Sequence, residues 1–357
     1  MKHFFILGRN PKLSREEIFA FLKCRKIDYK EILFEDNQLV LEGDFNINIQ
    51  ELGGTIEIGN ILFDDNANKF EDFLNSQDLV NENKFNYSVI GNMDPEPIKN
   101  YFKSNKQKAG LKHGRDKLRF QEGGFNYLAK TKYTYFLYEE NNRVLFGEVT
   151  QDFDSTEVER RDMKKPVRRE ALAISPRLSK ILINLSGANP RSLMGDPFCG
   201  VGGILQEALL KNIKVYGSDN DYKAILDAKR NLKWIKDQYD VNTKFNVERR
   251  DVRSLANKQF DAIATETPLG DVIKKKLDDR RAENEIRKFE SFIIPALRSI
   301  RSVKRNKALI AITFPKIRRF GVDYDRIIEN TGLRIVMKPI EESKSGQFIG
   351  RDVIVFQ

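Results

Sequence analysis

The chain has 357 residues, with 62 Lys+Arg against 52 Asp+Glu, a formal charge of +10, and 40% apolar and 32% charged residues. This is the balance of a globular chain long enough for two or three domains, and no apolar run approaches the ~18–20 residues that a membrane span needs. Two cysteines (Cys24, Cys199) and two histidines (His3, His113) exclude a disulfide framework and a Cys- or His-rich metal centre. The apolar stretch after Met1-Lys2 is too short for a signal peptide, so a cytoplasmic protein without metal is expected.

The first block, residues 1–65, reads as a small α+β domain. His3–Leu7 is a strand, Ser14-Arg15-Glu16-Glu17 is a capping box opening a helix with Ile18, Phe19 and Leu22 at helical spacing, and Leu39–Gly43 is a further strand. The second block, 66–150, opens with a helix around Phe70, Phe73 and Leu74 and a strand at Phe85–Ile90. Asp94-Pro95-Glu96-Pro97 starts another helix, and Tyr133–Tyr138 and Arg143–Val149 form a hairpin around Glu139–Asn142. Residues 151–165 are polar and doubly charged and read as a linker.

From about 166 to 357 helices and strands alternate. Ser175-Pro176 caps a helix closed by Gly187. Seven strands follow at Leu193–Gly195, Lys214–Ser218, Lys244–Glu248, Phe260–Thr265, Ala308–Phe314, Leu333–Lys338 and Val353–Phe356, with the clearest helices at 203–212, 222–238, 283–302 and 323–330. The pattern predicts a doubly wound α/β domain on a parallel sheet, with the last two strands antiparallel at one edge.

Where the first of these strands meets its helix, the chain reads Asp196-Pro197-Phe198-Cys199-Gly200-Val201-Gly202-Gly203. Glycines let the backbone pass close under a ligand, and a helix N-terminus offers free N–H groups. Asp219 ends the second strand, where an acid holds ribose hydroxyls in nucleotide-binding sheets. Asp251 follows the third, where it is placed to accept an adenine amino proton. Each acid alone is equally well a cap or turn residue. Acids at three successive strand ends point to an adenosine-type cofactor, held by Asp196, Phe198, Cys199, Gly200, Gly202, Asp219, Asn220, Asp251 and Val252. Cys199 has no histidine near it in sequence and reads as packing beside that cofactor, not as a nucleophile.

The stretch from Asp196 through Ala208, then Val215-Tyr216-Gly217-Ser218-Asp219 and Ala228-Lys229-Arg230-Asn231-Leu232, resembles the THUMP-containing tRNA guanosine-N2 methyltransferases of the Rossmann-like type. Arg161–Pro166 and Ser175–Leu178 resemble the family's entry into its catalytic domain, and Gly346–Val353 its C-terminal motif. The resemblance implies a ferredoxin-like domain at 1–65, a THUMP RNA-binding domain at 66–150 and a methyltransferase domain at 166–357. It further implies S-adenosylmethionine as cofactor and methyl transfer to the exocyclic N2 of a tRNA guanosine near position 10. A small activating subunit is compatible with it. In place of the family's Asp/Asn-Pro-Pro-Tyr/Phe, this chain has Glu266-Thr267-Pro268-Leu269-Gly270, which keeps a carboxylate but not the stacking ring. Glu266, Thr267 and Pro268 are therefore the candidate catalytic residues.

Charge is clustered. Residues 99–119 carry eight Lys/Arg against Asp116, residues 298–319 carry eight and no acid, and Arg160–Arg169 lies between, whereas 51–98 holds ten acids and two lysines. Each cluster alone fits a solvated face. Three together favour a polyanion such as tRNA, with Lys112, Arg115, Lys117, Arg119, Arg168 and Arg169 as candidate contacts. Two other functions fit the same residues: a tRNA-binding protein of this fold with weakened catalysis, and an amine methyltransferase acting on adenine N6 or protein glutamine.

Overall fold

The computed structural model describes residues 1–112, 131–168, 174–255, 259–268, 277–343 and 348–357. These divide into two compact units, one of Met1–Pro11, Ile27–Ile49 and Thr55–Phe153, the other of Lys12–Lys26, Gln50–Gly54 and Asp154–Gln357. The chain opens with β1 (Lys2–Leu7), in the first unit, and α1 (Pro11–Cys24), nearly all in the second. α1 starts at Pro11, three residues before the expected capping box. Proline suits a first helical turn, and Ser14 and Glu17 are buried inside the helix instead of capping it.

The first unit continues with β2 (Tyr29–Glu35), β3 (Gln38–Gly43), β4 (Thr55–Asn66), α2 (Phe70–Asn75), β5 (Lys84–Ile90), α3 (Glu96–Ser104), β6 (Lys108–Leu111), β7 (Tyr133–Glu140) and β8 (Arg143–Asp152). Its eight strands form one sheet in the order β2-β3-β1-β4-β8-β7-β5-β6. β4 runs through the boundary expected at 65/66, so both N-terminal blocks contribute to this sheet. Alternation along the hairpin feeds two cores. Tyr135, Leu137, Val144 and Phe146 pack with α2 and α3, while Phe136, Tyr138 and Leu145 pack with Phe4, Ile6, Leu33 and Val40. The turn joining β7 and β8 holds Asn141 and Asn142 at φ +50 and +62, the left-handed pair that a tight hairpin needs. β2, β4 and β6 were not among the expected strands. β6 is four residues long, Lys-Ala-Gly-Leu, too short to carry a pattern of its own, and is fixed by parallel pairing with β5.

The second unit adds α4 (Ser155–Lys164), α5 (Pro176–Leu185), β9 (Leu193–Asp196), α6 (Gly203–Leu210), β10 (Lys214–Asp219), α7 (Tyr222–Tyr239), β11 (Phe245–Arg249), β12 (Ala262–Glu266), α8 (Asp279–Val303), β13 (Ile310–Ile317), α9 (Tyr324–Thr331), β14 (Ile335–Glu342) and β15 (Ile349–Phe356). The stretch read as a linker is instead mostly α4. Asp154 caps it by accepting the Glu157 N–H at 2.9 Å, and Val158 and Arg161 form its buried stripe. The seven strands run β11-β10-β9-β12-β13-β15-β14. The first five are parallel, and β15 is antiparallel to both β13 and β14, as the alternating pattern predicts.

Successive residues of the central strands face opposite cores. Ala262, Ala264, Ala311, Val353 and Val355 join α5, α6 and α7, whereas Ile263, Ile310, Ile312, Ile354 and Phe356 join α8 and α9. Both sheet faces are therefore covered, the condition for a doubly wound sheet. α1 belongs to this unit through Leu13 and through buried Glu17. The Glu17 carboxylate accepts the N–H groups of Gly53 and Gly54 at 2.7 Å and the Asn184 amide at 2.6 Å.

Candidate active site

Parallel strands end together, and β9, β10, β11 and β12 bring Asp196, Asp219, Asp251 and Glu266 to one carboxyl edge of the sheet. The loop from Asp196 to Gly203 turns there. Gly200 (φ +49) and Gly202 (φ +86) occupy the left-handed region. A Cβ on Gly200 would meet nothing within 4 Å, so the backbone there faces open space. Asp196 is 1% exposed. Its Oδ1 accepts the Thr265 hydroxyl at 2.6 Å and the Phe198 N–H at 3.3 Å, and burial, aided by the charges of Asp219 and Glu266, pushes its pKa up to about 7. Phe198 is half-buried against the Phe292 ring. Cys199 is buried, and burial holds its thiol well above the ordinary value. This agrees with a packing role and not a nucleophilic one.

Asp219 is half-buried at the end of β10. Its Oδ2 accepts the Gly200 N–H at 3.0 Å and its Oδ1 the Asp221 N–H at 2.9 Å, which ties the second strand end to the glycine loop. Asn220 is exposed beside it, and its carbonyl accepts the Arg249 side chain. Asp251 caps a single 3-10 turn. Its carboxylate takes the Arg253 N–H at 2.8 Å and the Arg253 guanidinium at 2.6 and 2.9 Å, and that partner lowers its pKa to about 2. Val252 next to it is buried in the core on the α8 side.

Glu266 ends β12. Burial raises its carboxyl above the ordinary range, opposed by Arg351, whose Nε lies 2.6 Å from Glu266 Oε1; the two side chains are 12% and 13% exposed. Thr267 is buried, and its hydroxyl donates to the Thr313 carbonyl at 2.7 Å, which places it in the scaffold of the loop. Pro268 is exposed. Three residues with no role assigned from the sequence support this site: Thr265, and Asn231 and Arg351, which the sequence shows only within the segments that resemble the family. Asn231 is fully buried and joins the chain before the site to the glycine loop. Its amide donates to the carbonyls of Val167 and Val201, both at 3.0 Å, and its Oδ1 accepts the Val167 N–H. An arginine inside the apolar strand Ile349–Phe356 was the available signal for Arg351, since a buried arginine requires a partner.

The basic clusters differ in what holds them. In 298–319, Arg305 pairs with Asp261, Lys316 with Glu341, and Arg318 and Arg319 with Asp279. Arg298 and Arg301 bond to the C-terminal turn of α9. In the stretch around α4, Arg161 forms a buried fork with Glu207, Arg160 pairs with Glu157, and both Lys165 and Arg168 lie against Asp162. Lys103, Lys106, Lys108 and Lys112 are exposed on α3, β6 and their connections, with no carboxylate partner among the described residues. Arg115, Lys117, Arg119 and Arg169 lie outside the described residues. No described helix is long and apolar enough to cross a membrane.

Residues 164–286 match the UPF0020 family, an RMKL-like methyltransferase domain. The chain is 39% identical over 99 residues to a tRNA (guanine(10)-N2)-dimethyltransferase of Methanothermobacter thermautotrophicus, covering 28% of each chain. It is 30% identical over 188 residues to the protein of the same name from Pyrococcus abyssi, covering 52% of this chain and 49% of that one. The aligned stretches thus span half or less of these relatives. The chain is similar in fold to TrmN from Thermus thermophilus, with a TM-score of 0.59 at 13% identity over 100% of this chain and 99% of that one.

Proposed function

We propose that this chain, whose residues 164–286 form a UPF0020-type methyltransferase domain, transfers a methyl group from S-adenosylmethionine to the exocyclic N2 of a tRNA guanosine near position 10. Glu266 carries the reading: a largely buried carboxylate at the strand end next to the strand that feeds the glycine loop. The names of the relatives from Methanothermobacter and Pyrococcus support the same substrate. The residues present fit the cofactor. Open space lies over Gly200, Asp219 is held at its edge by two N–H bonds, and Asp196 and Glu266 end the neighbouring strands, so carboxyl groups border the place of a cationic ligand.

When bound, S-adenosylmethionine supplies a methyl group on a positively charged sulfur, which leaves as a neutral thioether as the new N–C bond forms. Glu266 accepts a hydrogen bond from the target amine, aligns its nitrogen and takes up the proton released as the bond forms. The loop that holds Gly200 and Gly202 carries the cofactor, with Asp219 on the ribose and Asp251 on the adenine side. An adenine role for Asp251 requires its Arg253 pair to open or share the carboxylate. Lys103, Lys106, Lys108 and Lys112, together with Arg115, Lys117 and Arg119, engage tRNA phosphates, which set affinity and register.

A second reading, a tRNA-binding protein of this fold without transfer, is favoured by one observation. The residue after Glu266 is tied to the Thr313 carbonyl, and Leu269 stands where the resembled family carries a stacking ring. Transfer of radiolabelled methyl groups to unmodified total tRNA, followed by nucleoside mass spectrometry, separates these readings. N2-methylguanosine is expected. Label in another base or in protein, or no label with tRNA still bound, would overturn the proposal.

A further inference from the structure

Glu266 and Arg351 are not on neighbouring strands. β13 lies between β12 and β15, with Thr313 opposite Glu266 and Pro315 opposite Arg351. The two positions lie two strand spacings apart, about 9.6 Å, and two residues apart along β13, about 6.7 Å, and the side chains close that gap across the face of β13 to an N–O distance of 2.6 Å. An aspartate at 266 would end about 1.5 Å short of this contact. The extra methylene that sets this chain apart from the Asp/Asn of the resembled family is thus the length the ion pair uses.

We infer that Arg351 is a positioning residue for methyl transfer: it holds Glu266 as an oriented carboxylate through Oε1 and leaves Oε2 to the target amine. The inference rests on the function proposed above. Among the described residues, Arg351 is the one partner that the Glu266 carboxylate has. The other groups facing the pair are Asp196 on β9, whose carboxyl feels Glu266, Thr313 on β13, which does not titrate, and the buried Glu342 on β14, which lies opposite Arg351. Burial favours the neutral acid at Glu266, which could neither attract the amine hydrogen nor take its proton. A guanidinium in contact with Oε1 opposes that. Both side chains are nearly enclosed, so solvent screens the pair little.

The test compares wild type, Arg351→Met, Arg351→Lys, Glu266→Gln and the double variant Glu266→Gln/Arg351→Met. It reads kcat and KM for unmodified tRNA across pH, with S-adenosylmethionine affinity by calorimetry and melting curves as the check on folding. In Arg351→Met the acid limb of kcat/KM should move up by about one unit or more, with kcat down at least about tenfold and cofactor affinity within about twofold. Arg351→Lys keeps the charge but puts a methylene where Nε meets Oε1, so its limb should stay near wild type while kcat falls. This variant carries the test if Arg351→Met fails to fold. In the Glu266→Gln background, Arg351→Met should cost little more. Carboxyl 13C titration of Glu266, with no RNA present, should show its pKa higher in Arg351→Met than in wild type. An unmoved limb, an Arg351→Lys variant with wild-type kcat, or additive losses in the double variant would overturn the inference. Absence of transfer by the wild type would overturn the methyltransferase reading instead, and the titration alone would still decide the pair.

Discussion

Asp219 holds two backbone N–H groups, those of Gly200 and Asp221, so its carboxylate both shapes the glycine loop and stands at the edge of the proposed ribose site. Replacing it with alanine should abolish measurable S-adenosylmethionine binding in calorimetry while the protein still melts cooperatively; retained affinity would remove Asp219 from the site. Asp196 behaves differently because it is enclosed. Its folded-state pKa, about 7, lies above the ~3.9 of an exposed aspartate, so on raising the pH the unfolded chain loses this proton first. The stability that Asp196 contributes is therefore complete below about pH 4 and is lost as pH rises through about 7. Asn at 196 keeps the acceptor for Thr265 without the charge. The melting advantage of Asp196→Asn over wild type should then grow from pH 4 to pH 7.5, toward a limit of about 4 kcal/mol at ~1.4 kcal/mol per unit. A difference independent of pH would show that the buried carboxyl does not titrate in this range.

At the scale of elements, α4 shows how a charged, polar stretch becomes part of a folded unit. Its residues read as linker because Arg160, Arg161, Lys164 and Lys165 look like solvated charge beside Glu157, Glu159 and Asp162. Arg161 is instead buried against Glu207 of α6 by three contacts of 2.8–3.2 Å, and Glu157 accepts the Tyr239 hydroxyl of α7 at 2.7 Å. A buried pair broken from one side leaves an uncompensated charge, at a cost of about 3–5 kcal/mol. Arg161→Met should lower the urea midpoint accordingly, whereas the double change Arg161→Met/Glu207→Met should recover most of the loss. If the single and double variants were equally destabilised, the charge would contribute nothing beyond packing.

For the whole molecule, the positive charge available to a polyanion is smaller than the sequence total implies. Much of the 298–319 cluster and of the α4 stretch is taken up by carboxylates and helix C-termini of the second unit, while the lysines of α3 and β6 carry no such partners among the described residues. Changing Lys103, Lys106, Lys108 and Lys112 together to alanine should weaken tRNA binding and flatten the dependence of log K on log salt by up to about 3–4 units, at ~0.7–0.9 per phosphate contact. Changing Lys112, Arg115, Lys117 and Arg119 together should act in the same direction, and cofactor affinity should be unchanged in both. An unaltered slope in both variants would mark this face as solvated charge and return the α4 stretch to consideration.

The doubly wound half was legible because its information is local. Buried parallel strands are continuous apolar runs, helices carry caps such as Ser175 and Asp221, and the glycines at 200 and 202 sit where only a backbone free of Cβ strain can turn. Acids at successive strand ends can be ordered along one edge from periodicity, which suffices for Asp196, Asp219 and Asp251, whereas Glu266 follows from the resemblance to the family's strand-end motif. Long-range partnerships were not legible. Nothing local announces that α1 and residues 50–54 pack with a domain that resumes about 100 residues later, because Glu17 reads as the acid of a capping box until Gly53, Gly54 and Asn184 surround it. The same holds for Arg351. Its proximity to Glu266 depends on the final strand inserting antiparallel between β13 and β14, and only that sheet order turns a charged residue in an apolar strand into the partner of a strand-end carboxylate.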